Sequence, residues 1–176
     1  QEWYEQAEQV IEDVLLFLDN VIQDYIDNAP EEQKHAVYSA MRERSVGMGV
    51  MGFHSYLQNH MIPFESALAK SQNFRFFKTI KKYADKASIK IAELKGPCPD
   101  AAECGIMERF SYKIAIAPTA SISVITGNAS PGIDPIRANH FTHKTLGGSK
   151  SFKNRKLEEI LEEKGKNTEE TWHEII

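Results

Sequence analysis

The feature that most limits how this chain can fold is one short apolar run, residues 112–117, which ends at Pro118. Its composition is typical of a strand buried on both faces, and such a strand needs neighbours to pair its backbone groups. Residues 140–145 alternate like a second short strand, whereas three or four stretches have helical periodicity. The sequence therefore predicts either a compact, mostly helical domain or, as we favour, a helix-rich α/β segment of a barrel that other polypeptides complete.

Helical spacing dominates residues 1–96. A first helix carries one apolar stripe, with residues three and four positions apart, at Val10, Val14, Phe17, Leu18, Val21, Ile22 and Tyr25. A second helix is predicted over residues 31–44. A third, over residues 65–94, keeps its period through Phe77, Ile80, Ala84, Ala87, Ile91 and Leu94 and stops at Gly96-Pro97. Each apolar face needs a partner, so we expect these helices to pack on something larger.

The rest of the chain divides into two parts. Residues 97–148 read as strand and loop, with a loop at 97–100 and a turn at 147–149. Residues 149–176 read as a helical C-terminal part, in which a helix over 157–164 ends at Gly165 and another begins at Thr168. We therefore treat the chain as one segment in three parts.

Composition excludes several classes of protein. The chain has 176 residues, 41% of them hydrophobic and 26% charged, as in ordinary globular proteins. Its net charge of -4 argues against nucleic-acid binding. No apolar run approaches a membrane span and no signal peptide is visible. Two cysteines make no disulfide framework, which favours a cytoplasmic location. The missing initiator methionine suggests a processed or excised piece.

Several motif-like patterns carry no function. Residues 47–52 match the dinucleotide fingerprint G-x-G-x-x-G, but a charged helix end precedes them and no acidic residue follows about twenty positions on. We expect these glycines to allow close helix packing instead. Cys98 and Cys104 are too far apart for a zinc knuckle or redox pair, and the six histidines form no metal motif. We therefore predict no metal site.

The loop after Pro118 is the best candidate for a binding site. Residues 118–123 combine small hydroxyl side chains with backbone N–H groups, and a second glycine-bearing loop follows at residues 127–136. A strand that opens into such a loop can hold a phosphate or another anion. A plain polar turn is the alternative.

At this point the chain resembles the large, catalytic subunit of ribonucleotide reductase. The loop residues 115–123 (A-I-A-P-T-A-S-I-S) and 127–135 (G-N-A-S-P-G-I-D-P) are similar to that family's substrate-phosphate loop. The resemblance covers essentially the whole chain, because further ordered motifs match at 17–22 (F-L-D-N-V-I), 44–53 (R-S-V-G-M-G-V-M-G-F), 139–145 (N-H-F-T-H-K-T) and 153–165.

The resemblance implies a portion of the family's ten-stranded α/β barrel, from its C-terminal half. It implies binding of the ribonucleotide 5′-phosphates by Pro118, Thr119, Ala120, Ser121, Ile122 and Ser123, through backbone N–H groups and the hydroxyls of the threonine and serines. The family's radical cysteine, in an N-x-C-x-E loop, and its reducing cysteine pair are not present. We thus expect no catalytic residue here and no activity of the chain alone.

The partners and cofactors follow from the same resemblance. They are the other portions of the catalytic subunit, a radical-generating di-metal small subunit, a thioredoxin-type reductant and a ribonucleoside di- or triphosphate. No cofactor is expected to bind this chain itself. Two alternatives remain open: a fragment of an adenosylcobalamin-dependent reductase, or a non-catalytic relic or regulator that binds the reductase.

Overall fold

The computed structural model describes residues 2–127, 129–145 and 148–175. In chain order these residues form α1 (Glu2–Asn28), a 3-10 turn (Glu31–Gln33), α2 (Lys34–Glu43), α3 (Phe53–Asn59), α4 (Ala67–Lys95), α5 (Pro99–Glu103), α6 (Ile122–Ile125), β1 (His140–Thr145), β2 (Gly148–Lys153), α7 (Arg155–Glu163) and α8 (Glu169–Glu174). Within the described ranges, no helix combines the length and apolar character that a membrane crossing requires.

The chain forms two compact units, each made of two separate stretches. The first comprises Gln1–Gly49 and Lys70–Ala117, and the second comprises Val50–Ala69 and Pro118–Ile176. These units follow spatial contacts between distant stretches, which composition along the chain does not reveal. The three-part division at residues 96 and 148 stays a prediction.

The predicted first helix is confirmed as α1, but its buried face differs from the predicted stripe. The buried residues of α1 recur every four positions at Ala7, Ile11, Leu15 and Asp19. Four members of the predicted stripe, Val10, Val14, Phe17 and Val21, lie beside this face and are 37–66% exposed, whereas Leu18, Ile22 and Tyr25 are half-buried. The helix is therefore apolar on two adjoining faces, and only one of them packs within the chain.

The second and third predicted helices are also confirmed, the third as α4. Its inward face is the predicted one, with Ile80, Ala84, Ala87 and Ile91 buried. Leu94 was expected on that face but is 75% exposed, because α4 ends one residue later. The helix stops at Gly96, which has φ +86° and donates its backbone N–H to the Ala92 carbonyl at 2.8 Å.

The apolar run before Pro118 pairs in parallel with the glycine-rich segment. Val46 N–H donates to the Tyr112 carbonyl at 2.9 Å, and Met48 N–H donates to Lys113 at 3.0 Å. In return, Ala115 N–H donates to the Met48 carbonyl at 3.1 Å. This extended, strand-like pairing agrees with the sequence prediction, although the bridge is too short to count as a regular strand.

This strand is not buried on both faces within the chain, in line with the favoured prediction that other polypeptides complete the barrel. Tyr112 is 70% exposed and Ile116 is 61% exposed. A short parallel pair has too few neighbours to cover its faces, since parallel sheets are normally sandwiched between other layers.

Gly47 and Gly49 approach the extended segment at Ala115, and not a helix as predicted. A Cβ at Gly47 would lie 3.0 Å from the Ala115 Cβ, and a Cβ at Gly49 would lie 2.5 Å from the Ala115 carbonyl oxygen. The second distance is shorter than real contacts allow, so Gly49 is required by backbone packing. The rejection of a dinucleotide fingerprint agrees with this role.

The second unit contains a hairpin of which the sequence predicts only the first strand. β1 pairs antiparallel with β2, and Phe141 stacks on Phe152 with ring centroids 5.5 Å apart. The turn predicted at 147–149 lies partly outside the described residues, and residues 148 and 149 belong to β2. The glycine and serine there conceal the strand because both residue types are common in turns.

Gly165 and Thr168 end and begin the C-terminal helices as predicted, whereas the cap at Asn154, which starts α7 two residues before the predicted position, was not predicted. The Asn154 side chain accepts hydrogen bonds from the backbone of α7, which is followed by Gly165 at φ +64°. Thr168 caps α8 by accepting a hydrogen bond from Thr171 N–H at 3.2 Å. Residues 97–100 are only partly the predicted loop, because α5 begins at Pro99, where a proline suits the first helical position.

Candidate functional site

The loop at residues 118–123 has a defined backbone shape set at Thr119. This residue has φ +49°, an uncommon conformation for a β-branched side chain. Its carbonyl accepts a hydrogen bond from Ser123 N–H at 2.9 Å. This bond joins the start of the loop to the first turn of α6. Strained backbone of this kind is often found at binding sites, where the surroundings hold it in place.

The two predicted loops contact each other, which the sequence did not predict. Gly132 N–H donates to the Thr119 Oγ1 at 2.8 Å, and Ala129 N–H donates to the Ser123 carbonyl at 3.1 Å. Because the Thr119 oxygen acts as acceptor, its own O–H proton remains available to a ligand. The second loop therefore orients a hydroxyl of the first.

The Ser123 hydroxyl points inward. The residue is 4% exposed, and its Oγ donates to the Ala120 carbonyl at 3.1 Å. Its proton is thus used within the loop, so Ser123 shapes the loop and does not offer a donor to solvent. Sequence reasoning alone had grouped this serine with the ligand-facing hydroxyls.

Three consecutive backbone donors of the loop have no acceptor. Among the described residues, the N–H groups of Ala120, Ser121 and Ile122 donate no hydrogen bond, and neither does the Ser121 hydroxyl. All three residues are exposed, as is Pro118. Adjacent free N–H groups at a turn are the usual way in which backbone binds an anion.

A small cavity of about 90 Å³ borders the loop. It is lined by residues of both loops, of β1 and of α6: Ala120, Ser123, Val124, Ala129, Pro131, Ile136, Arg137 and Phe141. Arg137 brings a cation to the cavity. Sequence reasoning did not single out this arginine, although a cation directly after a glycine- and proline-rich loop was an available signal.

Helix α3 anchors the second loop through two serines that the sequence analysis missed. Ser130 N–H donates to the Ser55 Oγ at 2.9 Å, and Ser55 N–H donates to the Ser130 Oγ at 3.1 Å. Ser130 is fully buried, and its carbonyl accepts a hydrogen bond from Gly52 N–H at 2.8 Å. These reciprocal bonds fix the loop that orients Thr119.

His54 on α3 holds the far end of the same loop. Its Nδ1 accepts a hydrogen bond from Ile136 N–H at 3.3 Å, which requires an unprotonated nitrogen. Burial lowers the pKa of His54 below 6.5. The imidazole is therefore neutral at pH 7 and acts as an acceptor.

The other candidate sites remain without a function in the structure. Cys98 is buried, Cys104 is exposed, and both are free thiols. In the part of the chain that the structure describes, no group of three or more His, Cys, Asp or Glu side chains could hold a metal ion. Of the candidates, the loop at 118–123 alone combines exposure with free donors.

Comparisons with known proteins agree with the resemblance. The family model described as ribonucleotide reductase, barrel domain, matches residues 1–104 and 101–176. A ribonucleoside-diphosphate reductase large subunit from Invertebrate iridescent virus 3 is 45% identical over 157 residues, which cover 89% of this chain and 25% of the viral protein. A vitamin B12-dependent ribonucleoside-diphosphate reductase from Thermoplasma acidophilum is 34% identical over 90% of this chain and 21% of its own length.

A solved structure supports the same assignment. The class Id ribonucleotide reductase alpha subunit of Actinobacillus ureae superposes with a TM-score of 0.85 at 33% identity, covering 98% of this chain and 32% of that subunit. The chain spans about a quarter of the length of the curated relatives it matches. Its helix-rich α/β fold is accordingly one part of a larger barrel, and the chain belongs to the ribonucleotide reductase barrel-domain family.

Proposed function

We propose that this chain is a segment of the catalytic barrel of a ribonucleoside-diphosphate reductase and supplies the loop that binds the substrate phosphates. The family match carries the reductase assignment, since the chain is similar to large subunits along nearly its whole length. The three free backbone N–H groups of residues 120–122 carry the phosphate assignment. Diphosphates are the preferred substrate class because the relatives are named for them.

In this proposal the loop binds a phosphate through main-chain and hydroxyl donors together. The N–H groups of Ala120, Ser121 and Ile122 donate to phosphate oxygens, assisted by the hydroxyls of Thr119 and Ser121. Pro118 ends the preceding extended segment and Ser123 holds the loop closed. Such donors stabilise a doubly charged phosphate at a small entropic cost, because the loop is already ordered by Gly132 and Ser130.

The reductive chemistry is assigned to other parts of the enzyme. The chain has no N-x-C-x-E sequence, and its described residues include no metal-binding group. We propose that the assembled enzyme takes its radical from a di-metal small subunit and its electrons from a thioredoxin-type reductant. The similarity to vitamin B12-dependent enzymes keeps adenosylcobalamin as the second candidate, which cobalamin dependence of the assembled enzyme would identify.

The exposed parallel pair supports a role for other portions of the subunit. Residues 112 and 116 present apolar side chains to solvent, and the pair has no further strand beside it among the described residues. We propose that neighbouring barrel strands cover these side chains in the assembled subunit. A non-catalytic relic or regulator would bind the same portions yet give no turnover.

The proposal is tested by substitutions that remove hydroxyl groups of the loop, made in the assembled reductase that contains this chain. Ser121→Ala removes an exposed hydroxyl without an internal partner, so the loop should keep its shape. A hydrogen bond to a charged group contributes about 1.5–3 kcal/mol, so we expect the KM for the substrate diphosphate to rise about tenfold or more. Adding Thr119→Val should raise it further, and Thr119→Ser should restore most of the loss.

Ser71→Ala provides the matched control, because Ser71 is an exposed serine on α4 outside the loop. Its KM should equal that of the wild type. Unchanged substrate affinity in Ser121→Ala with Thr119→Val would remove the phosphate assignment, and absence of turnover in the complete mixture would favour the regulator.

A further inference from the structure

The exposed face of α1 is regular enough to be an interaction surface. Val10, Val14, Phe17 and Val21, here named the α1 seam, are spaced four, three and four residues apart. This is the heptad spacing by which one helix packs along another. The seam extends about 17 Å along the axis at roughly 1.5 Å per residue, and its side chains are 37–66% exposed.

The charged side chains that α1 itself carries all have one sign. Helix α1 contains no lysine or arginine. Its carboxylates Glu8 and Glu12 form ion pairs with Lys86 and Lys90 of α4, away from the seam. Other carboxylates of α1 border the seam itself.

Two aspartates lie along that border. Asp13 is three positions from Val10 and four from Phe17, and Asp24 is three positions from Val21, which places both on the seam's side of the helix. Within the described chain, Asp13 accepts a hydrogen bond only from the Gln9 amide and Asp24 only from the Asn28 amide. Neither carboxylate has a cationic partner.

We propose that the α1 seam packs against an amphipathic helix whose apolar face is bordered by lysine or arginine, supplied by the part of the reductase large subunit outside these 176 residues. The proposal rests on the proposed function, because it takes the rest of a reductase barrel as the partner. About three quarters of the length of each relative lies outside the region that this chain matches, which is enough to supply such a helix.

Charge disfavours a second copy of this chain as the occupant. Two α1 helices packed antiparallel through their seams would place the aspartate borders of both copies side by side, with no lysine or arginine on either helix. Like charges opposed across an apolar interface are destabilising, whereas a basic border on the partner would pair with both aspartates.

The experiment measures association of this chain with the remaining large subunit, produced as separate polypeptide, by analytical ultracentrifugation. The double variant Val14→Glu with Phe17→Glu should bind at least 30-fold more weakly. Tyr38→Glu is the matched control, because Tyr38 is a similarly exposed aromatic residue, at 61%, on α2 of the same unit. Asp13→Lys with Asp24→Lys should weaken binding about tenfold at low salt and less at high salt.

Far-UV circular dichroism checks that each variant is folded, which is expected because the changed residues are exposed. Absence of wild-type association, unchanged binding of the double variant, or an equal loss in Tyr38→Glu would overturn the proposal. So would a homodimer of the chain that Phe17→Glu disrupts. Failure of the phosphate assignment can be distinguished from failure of this proposal. In that case Ser121→Ala would leave the KM for the substrate diphosphate unchanged, while the seam variants would still impair association.

Discussion

Asp19→Asn tests the buried charge cluster on which the first unit depends. The Asp19 side chain is fully buried on α1. Its carboxylate accepts hydrogen bonds from the Arg44 Nε at 2.9 Å, the Arg109 Nε at 2.8 Å and the Lys95 Nζ at 3.0 Å. It therefore joins the ends of α2 and α4 to residue 109, and the substitution keeps its shape while removing its charge.

The expected loss follows from what remains after the substitution. Arg44 is 4% exposed and Arg109 is 8% exposed, so both guanidinium groups would stay buried without a counter-charge. Removing one partner of a buried ion pair costs about 3–5 kcal/mol. Since native proteins are stable by about 5–15 kcal/mol in total, Asp19→Asn should remove at least about a fifth of the free energy of unfolding.

Urea unfolding of the chain, followed by far-UV circular dichroism, measures this loss. Asp13→Asn is the control, because Asp13 is exposed on the same helix and accepts a hydrogen bond only from Gln9. Its effect should stay within about 0.5 kcal/mol. A loss below about 1 kcal/mol in Asp19→Asn would refute the view that the carboxylate neutralises the two arginines.

The pH dependence gives an independent check with a defined sign. Burial acts to raise the pKa of Asp19, but the hydrogen bonds from Arg109 and Lys95 and the charges of Arg44 and Arg109 outweigh it, so the pKa is lowered from 3.8. The unfolded chain then binds the proton first as pH falls. The contribution of Asp19 is complete above its unfolded pKa and is lost as pH falls through the lowered one, a dependence that Asp19→Asn should lack.

Three further predictions concern packing, capping and titration. Gly49→Ala places a methyl group against the Ala115 carbonyl and should cost about 1–3 kcal/mol in urea unfolding; a neutral effect would show that the segment relaxes freely. Asn154→Ala removes the cap of α7 and should cost about 1 kcal/mol, whereas Asn154→Ser should recover most of it. His54 should titrate below pH 6.5 in an NMR experiment, because burial favours its neutral form, and its contribution to stability is lost as pH falls from 6.5 toward that midpoint; a midpoint at or above 6.5 would contradict this.

Local signals in the sequence predicted the elements better than the packing. Thr168 and the glycines after α4 and α7 act within one turn, so α1, α2, α4, α7 and α8 were predicted within a few residues, whereas the short helices α3, α5 and α6 and the cap at Asn154 were not. β2 was missed because Gly148 and Ser149 have turn composition, and the strand exists through pairing with β1. A cross-strand partner is a long-range cause that no local window contains.

In the loop at 118–123, the sequence likewise does not show which way each hydroxyl group points. The loop's hydroxyls and its proline marked it as a candidate anion site, and a second glycine-bearing loop followed in the sequence. Only the structure separates the inward hydroxyl of Ser123 from the exposed one of Ser121. It also reveals the Ser55–Ser130 pair, which brings together residues 75 positions apart.

The sequence by itself determined the long helices and the two C-terminal ones, and which loop has the composition to bind a phosphate, but not the short helices α3, α5 and α6. These are properties of neighbouring residues, set by periodicity, capping and backbone conformation. The tertiary structure decided which face of α1 is buried, why Gly49 cannot carry a side chain, and which hydroxyl protons remain free. Those outcomes depend on contacts between distant residues, which decide which of two adjoining apolar faces of α1 is covered within the chain.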